Sequence, residues 1–307
     1  MLTLMSHPQP LMDEQLTPFE QAHADFHSKL KSQLDSDEFT HFNQSTPQTV
    51  SMIAASHGNL KLIQWLHSPG NEYSSSPPSV EIVYNAAING HIHVIQWAFS
   101  NGVPPSDATR ACTYAAANGQ LRCLKYLKKC GVDWDASVCS FAAMKGHLDI
   151  LQYAKSKNCP CSSQASAWAG ANGHFEVLKW LYDNWWATGP VWDEETFAII
   201  TSSKLPRSFN RPPIGIDKKE SDQSPKDQSP KTHQSSSITL DILKWMHEKK
   251  CPIDARAAQW ALESLNTLVL QWLVTINDAC HRVVRTYKVP PTFQSHPNLL
   301  ALIKSLQ

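Results

Sequence analysis

The fold is decided by residues 142–154, which read AAMKGHLDILQYA. A pair of small residues, Ala142 and Ala143, stands shortly before a glycine, Gly146. Apolar residues then recur two, four, five and eight positions after this glycine, which is the spacing of one helix face and not the alternation of a strand. The stretch predicts the end of one short helix, a glycine turn and a second, amphipathic helix.

The same phrase occurs seven times along the chain, and a large aromatic residue marks its register. These aromatics are Trp65, Trp97, Tyr126, Tyr153, Trp180, Trp245 and Trp272. Successive aromatics lie 32, 29, 27, 27, 65 and 27 residues apart, so the unit is about 27 residues long and one unit carries an insertion. Two short helices cannot form a core alone, so neighbouring units must stack. We predict an all-α solenoid of about seven helix-turn-helix units, with the register aromatics in its core.

The helix end Ala-Ala-x-x-Gly-His, the Leu/Val-rich second helix and its glycine or asparagine stop resemble the ankyrin repeat. The resemblance covers roughly residues 46–278 and is closest between residues 51 and 184. It implies an ankyrin-like fold that binds protein partners through the exposed ends of the first helices and the loops. The Thr-Pro-Leu-His opening is missing, and the period is shorter than the ankyrin period of about 33 residues. We therefore do not expect long β-hairpin fingers.

We divide the chain into three regions. Residues 1–45 form an N-terminal segment with a capping helix, residues 46–278 form the repeat array, and residues 279–307 form C-terminal capping helices. Terminal repeats need a polar outer face, which such caps supply.

The insertion at residues 203–237 is rich in proline, serine, lysine and aspartate. It has too few apolar residues to offset its ordering entropy, so we predict that it is disordered and loops out between the two helices of one unit. Ser224 and Ser229 each precede a proline and are candidate phosphorylation sites.

The composition of the chain limits the classes of protein to which it can belong. Lys and Arg total 27 and Asp and Glu total 27, so no net charge steers the chain to nucleic acid or to anionic lipid. No apolar stretch approaches the length of a membrane span, and eight dispersed cysteines favour reduced thiols. We expect a cytoplasmic, monomeric protein without a cofactor, and nuclear entry stays open.

Several residues invite a chemical interpretation. His91, His147 and His174 share one position in successive units, so we predict hydrogen bonds to turn backbones and no metal site. Cys159-Pro160-Cys161 is interpreted as structural filler, because no second pair lies at zinc spacing. We find no P-loop, nucleotide-binding or hydrolase motif, and we predict that the protein is not an enzyme.

Two groups of residues are candidates for partner binding. The ends of the first helices supply His57, Asn89, Asn118, Met144, Lys145 and Asn172, and the loops supply Trp134, Trp185, Trp186 and Trp192. The asparagines are equally explained as helix caps. The tryptophans either fold over helix ends or are exposed as interface anchors.

The function we predict is protein binding by a module or scaffold with a preorganised surface. An adaptor that recruits a target to a larger complex through its terminal segments is the first alternative. A thiol-dependent or metal-dependent activity is the second.

Overall fold

A computed structural model describes residue 28 and residues 47–68, 77–185, 192–202, 232–288 and 296–306. Across these residues the regular elements are helices, and no strand occurs among them. The chain divides into two compact units, Met1–Asp107 and Ala108–Gln307. The predicted all-α fold of repeated helix pairs is confirmed.

The first unit contains two repeats of paired helices. Its helices are α1 (Pro47–Ser56), α2 (Leu60–Leu66), α3 (Val80–Asn89) and α4 (Ile92–Ser100), followed by a short 3₁₀ turn at Pro105–Ala108. The first helices α1 and α3 pack on each other, and each also packs on the second helix of its own repeat. Each pair is therefore one supersecondary unit that buries its apolar face against its neighbour.

The second unit continues the pattern with helices α5 to α16. They are α5 (Thr109–Ala117), α6 (Leu121–Lys129), α7 (Ala136–Met144), α8 (Leu148–Ser156), α9 (Ser163–Ala171), α10 (Phe175–Trp185), α11 (Glu194–Ser202), α12 (Thr232–Glu248), α13 (Arg256–Glu263), α14 (Thr267–Ile276), α15 (Asp278–Thr286) and α16 (Pro297–Leu306). The odd-numbered helices from α5 to α15 are first helices, and each packs on the next one in the series.

The small residues of the first helices lie where these helices meet. All of them are fully buried, and without larger side chains the backbones approach closely. They are Ala54, Ala55, Ala86, Ala87, Ala115, Ala116, Ala142, Ala143 and Ala169. At the next place, Gly170 faces Ile200 of α11: a Cβ on this glycine would lie 2.3 Å from Ile200 Cδ1. The large side chain of Ile200 thus fits because Gly170, in the repeat before it, has no side chain.

The second helices bury three of the four positions of the apolar stripe that the sequence predicts, while the position two residues after the turn is half-buried. In each case the residues four, five and eight positions after the turn are buried. They are Leu62, Ile63, Leu66, Val94, Ile95, Ala98, Cys123, Leu124, Leu127, Ile150, Leu151, Ala154, Val177, Leu178, Leu181, Ile242, Leu243, Met246, Val269, Leu270 and Leu273.

The turn between the helices of a repeat is a left-handed glycine stop. Gly58, Gly119 and Gly146 have φ values of +70°, +72° and +78°, a region that only glycine enters at little cost. The amide of the residue after the glycine donates to the carbonyl of the first small residue, as His147 does to Ala142 over 2.9 Å. This bond closes the helix end as a Schellman motif does.

The sixth repeat is the one that the insertion splits. Its first helix is α11 and its second is α12, and these two helices pack together. Residues 203–231 of the predicted disordered insertion lie outside the described residues. Residues 232–237, which we assigned to the insertion, belong to the beginning of α12. Ser224 and Ser229 also lie outside the described residues.

Helices α15 and α16 follow the last full repeat. α15 packs on α13 and α14, and α16 packs on α14 and α15, so they stand where a further helix pair would stand. Cys280, Val284, Leu299 and Ile303 are the residues that they bury. The capping helix predicted within residues 1–45 lies outside the described residues.

Candidate partner-binding surface

The ends of the first helices hold candidates that are engaged in local hydrogen bonds. The side-chain amides of Asn89, Asn118 and Asn172 each donate to the carbonyl oxygen four residues earlier, over 3.3, 2.9 and 2.8 Å. The Nδ1 atom of His57 lies 3.0 Å from the carbonyl oxygen of Ile53. These contacts give a second donor to carbonyl oxygens in the last turn of each helix, where Ile53, Tyr114 and Trp168 already accept a backbone amide. Capping therefore explains the three asparagines and His57 without a partner.

At the end of α7, Met144 and Lys145 occupy the positions that the capping residues occupy in the other repeats, and neither is an asparagine or a histidine. Met144 is half-buried and Lys145 is exposed. An apolar side chain beside a cation at a helix end is a contact that a protein partner can use. These two residues remain candidates for binding at the helix ends.

The repeated histidines connect neighbouring repeats. The Nε2 atoms of His91 and His174 lie 3.1 Å from the carbonyl oxygens of Ser56 and Met144, which end the first helix of the preceding repeat just before its turn. The hydrogen bonds to turn backbone that we predicted are thus present at both residues. Burial lowers the pKa of each of these two imidazoles, although the hydrogen bond opposes the shift. Within the described residues, no three His, Cys, Asp or Glu side chains are arranged to hold a metal ion.

Trp192 is not a surface anchor. Its side chain is 6% exposed, and its ring stacks on Tyr182 at a centroid distance of 4.9 Å and meets Trp245 edge-on at 5.9 Å. The aromatic cluster covers the ends of α10 and α12, so the ring is folded over the helices. The inclusion of Trp192 among the partner-binding residues is wrong for this reason. Trp186 lies outside the described residues.

Trp134 and Trp185 are half-buried, and each is fixed between a lysine and a second aromatic ring. Lys128 Nζ lies 4.6 Å from the centroid of the Trp134 ring, which meets the Tyr153 ring edge-on at 6.1 Å. The same ammonium group donates to the carbonyl oxygen of Val132 over 3.0 Å, which holds it in place. Cation–π contacts of this kind contribute roughly 0.5–1 kcal/mol each at exposed sites.

Trp185 repeats this arrangement one unit further along. It is the last residue of α10 and not a loop residue. Lys155 Nζ lies 4.8 Å from the centroid of its ring, and the ring meets Trp180 edge-on at 5.3 Å. Lys125 completes the set, with its Nζ atom 5.4 Å from the centroid of Tyr153. We call these residues the aromatic–lysine surface: Lys125, Lys128, Trp134, Tyr153, Lys155, Trp180 and Trp185.

The surface contains residues that sequence reasoning missed. The register aromatics, which we predicted to be core residues, are half-buried in all seven repeats. They lie beside the buried stripe of the second helices and leave part of each ring at the surface. The lysines were also missed, although Lys125 directly precedes Tyr126 in the repeat phrase. That position could have been recognised as exposed, since the residue before the aromatic is polar in every copy.

The cysteines fall into two groups. Burial raises the pKa of Cys112, Cys123 and Cys251 to about 12, which makes these thiols unreactive. Cys159 and Cys161, which we interpreted as filler, each direct the thiol to a backbone carbonyl oxygen, Cys159 to that of Asp135 over 3.5 Å and Cys161 to that of Ser162 over 3.8 Å.

In the described part of the chain, none of the helices has both the length and the apolar character of a membrane span.

The repeat pairs, their glycine turns and their stacked first helices define a helical-repeat protein as the class of protein. Residues 51–138 match the family model described as ankyrin repeats (3 copies), so this stretch carries ankyrin repeats and the resemblance is confirmed there. This family is typically non-enzymatic and generally mediates protein–protein interaction. No curated protein matches the chain.

Proposed function

We propose that the protein binds another protein, and that it does so through the aromatic–lysine surface of its second unit. The general role of ankyrin repeats supports the class of function. The choice of surface depends on one observation: Trp134 and Trp185 keep part of their rings at the surface, yet each ring is fixed by a lysine and a second aromatic.

Fixed aromatic rings are effective interface residues. A tryptophan presents a large apolar area together with one hydrogen-bond donor, and such residues dominate the binding energy of many interfaces. Ordering a long, mobile side chain on binding costs about 0.5–1.5 kcal/mol. Trp134 and Trp185 are already ordered by their neighbours, so most of this loss is avoided.

The charge of the surface indicates the chemistry of the partner. Helix α6 reads LRCLKYLKK and contains four basic residues and no acidic one. Arg122, Lys125 and Lys129 are exposed. We infer that the partner segment carries acidic side chains beside apolar or aromatic ones. Since exposed charges are screened by salt, its association rate should fall as ionic strength rises.

The ends of the first helices are the competing surface. Capping accounts for their asparagines, which leaves Met144 and Lys145 as the residues to test. These two lie at the C-terminal end of α7, whereas Trp134 lies just before its first residue.

An affinity pull-down with the intact chain and matched variants tests the proposal. One variant carries Trp134→Ala and Trp185→Ala, a second carries Lys125→Glu and Lys128→Glu with both rings kept, and the control carries Met144→Ala and Lys145→Ala. Circular dichroism checks that each variant retains its helicity. A partner that is lost by the first two variants and kept by the control supports the proposal. A partner lost only by the control moves the interface to the helix ends, and one kept by the first two variants contradicts the proposed surface.

A further inference from the structure

The surface around the turns changes character at the C-terminal end of the array. The turn position is glycine in the first five repeats, and the corresponding residues of the last two repeats are Ile238 and Leu265. The residue three positions later is exposed in every repeat: Lys61, His93, Arg122, Asp149, Glu176, Asp241 and Leu268. This position is thus polar in six repeats and apolar in the seventh.

Ile238 and Leu268 are the exposed large apolar residues of the described part of the chain, with exposed fractions of 39% and 49%. They belong to neighbouring second helices, α12 and α14, which pack together. Ile238 lies against the turn of the fifth repeat, where a Cβ on Gly173 would be 3.8 Å from its Cγ2 atom. In the first two repeats the positions that correspond to Ile238 and Leu268 touch, since His93 Nε2 lies 2.9 Å from the Gly58 carbonyl oxygen. The two apolar side chains therefore share one patch.

Leu265 adds a third apolar side chain at a cost in backbone strain. Its φ is +59°, in the left-handed region that glycine enters at little cost and leucine does not. The turn keeps the hydrogen bond of the other repeats, because the Asn266 amide donates to the carbonyl oxygen of Ala261 over 3.0 Å. Leu265 is only half-buried, so the fold gains less from it than from a core residue. Strain that packing does not repay is a sign of a functional position. We call Ile238, Leu265 and Leu268 the apolar turn patch.

Charged residues of opposite sign flank this patch. Asp241 is exposed and lies one helical turn after Ile238 on α12. Arg285 and Lys288 are exposed at the end of α15 and just beyond it. Helix α14 packs on both α12 and α15 and contains no charged residue. A two-fold rotation about the patch exchanges its two sides, so the carboxylate of one copy would face the cations of the other.

We propose that the apolar turn patch is a self-association surface through which two copies of this chain form a dimer. The three apolar side chains leave water at the centre of the contact, as the core residues of an interface do. Asp241 of each copy faces Arg285 of the other at the rim. Opposite charges on the two sides of one patch favour a second copy over a partner of a single charge sign.

This contact leaves the aromatic–lysine surface free and does not depend on its role. The patch lies near the beginning of α14, of which Leu268 is the second residue. Trp185 is the last residue of α10, and Lys128 is the last but one of α6, so they lie at the other ends of second helices. A dimer would present two aromatic–lysine surfaces and could bind a two-site partner more tightly than one copy does.

Sedimentation equilibrium of the full-length chain at increasing concentrations tests the inference. We expect the wild-type chain to form a dimer. Leu268→Asp puts a charge at the centre of the contact and should lower the association constant about tenfold or more. Asp149→Ala changes the same position of the fourth repeat and should leave the association constant unchanged. A wild-type chain that stays monomeric at every concentration, or a Leu268→Asp chain that dimerises as well as wild type, would overturn the inference.

Leu265→Gly separates association from folding. The change relieves the left-handed φ, so the urea midpoint should equal or exceed that of wild type at a concentration where both are monomeric. The association constant should nevertheless fall, because an apolar side chain of the patch is lost. A lower midpoint together with undiminished dimerisation would show that Leu265 serves packing alone, against the proposal.

Charge reversal tests the two-fold arrangement. Asp241→Arg and Arg285→Asp each place like charges opposite one another and should weaken the dimer. The chain that carries both changes should recover association, because both pairs are restored with their signs exchanged. A double variant that associates no better than the single ones would overturn the two-fold contact.

Discussion

The imidazole of His91 occupies the space that a side chain on Gly58 would need. A Cβ on Gly58 would lie 2.7 Å from His91 Nδ1, and one on Gly119 or Gly146 would lie 2.9 or 2.8 Å from the histidine of the following repeat. These glycines therefore meet two requirements at once: a left-handed φ angle and an open face for the next histidine. The turn of one repeat is joined to the next repeat by this contact.

Replacing Gly58 with alanine should destabilise the protein more than the same change at Gly102. Both residues have positive φ, +70° and +99°, but nothing lies within 4 Å of a Cβ on Gly102. The φ penalty of roughly 1–2 kcal/mol applies to both variants, and only Gly58→Ala also displaces a histidine ring. Urea unfolding curves should show a further loss of about 1 kcal/mol or more for Gly58→Ala.

A double variant identifies the cause of this difference. If the histidine ring is responsible, Gly58→Ala combined with His91→Ala should lose less stability than the sum of the two single changes. Equal losses for Gly58→Ala and Gly102→Ala would show that the ring moves aside freely, and the proposed link between the repeats would be refuted.

Acidification should weaken the fold through His91 and His174. Burial lowers the pKa of both imidazoles below the value of about 6.5 that an exposed histidine has. Because their folded pKa is the lower one, the unfolded chain binds protons first as the pH falls, and protonation favours unfolding. Their contribution is fully present above about pH 6.5 and is lost as the pH drops through the folded pKa.

Glutamine provides the control for this pH dependence, since Gln120 occupies the histidine position in the third repeat. We expect the double variant His91→Gln and His174→Gln to show a flatter dependence of unfolding free energy on pH between about 7.5 and 5. NMR titration of the two imidazoles in the wild-type chain measures their pKa values directly. Values at or above that of a free histidine would contradict the prediction.

The repeat architecture could be predicted because its determinants are local and periodic. The small pair, the glycine turn and the stripe after Gly146 each impose one backbone conformation or one buried face, and each recurs in the chain. The ring of His91 could be placed at a turn for the same reason. That it lies on Gly58 of the preceding repeat could not be predicted, because the contact depends on how two repeats stack.

The candidate site was harder to predict, because it depends on contacts between repeats. Trp192 and Trp134 have similar surroundings in the sequence, yet Trp192 enters a cluster with Tyr182 and Trp245 while Trp134 lies beneath Lys128. The periodic spacing placed the register aromatics in the core. Such spacing separates the buried face of a helix from its exposed face, but it does not distinguish a fully buried position from one at the edge of the buried stripe.

Trp192 and Trp185 should differ in their effect on stability. Trp192 is 6% exposed and stacks on Tyr182, so Trp192→Ala removes a buried ring and should lower the unfolding free energy by about 3–5 kcal/mol. Trp185 is half-buried, and Trp185→Ala should lower it by about 1 kcal/mol. Thermal unfolding followed by circular dichroism compares the two. A loss at Trp185 as large as that at Trp192 would mean that Trp185 is a core residue, and its place on a binding surface would be withdrawn.

Gly170 should not tolerate alanine even though it lies inside a helix. Alanine favours a helix interior over glycine by about 1 kcal/mol, so Gly170→Ala would be stabilising if the helix were isolated. In the fold, the new Cβ would lie 2.3 Å from Cδ1 and 2.8 Å from Cγ1 of Ile200, and Ile200 is fully buried. Overpacking of this kind costs about 1–3 kcal/mol, which outweighs the gain in helix propensity.

Ile200→Val removes the nearest atom and by itself should cost about 0.5–1.5 kcal/mol. In the Gly170→Ala background that cost should shrink or reverse, because the clash is relieved. Denaturant unfolding of the four proteins in this cycle measures the coupling, and strictly additive changes would show that α9 and α11 are not packed as tightly as the Gly170–Ile200 contact indicates.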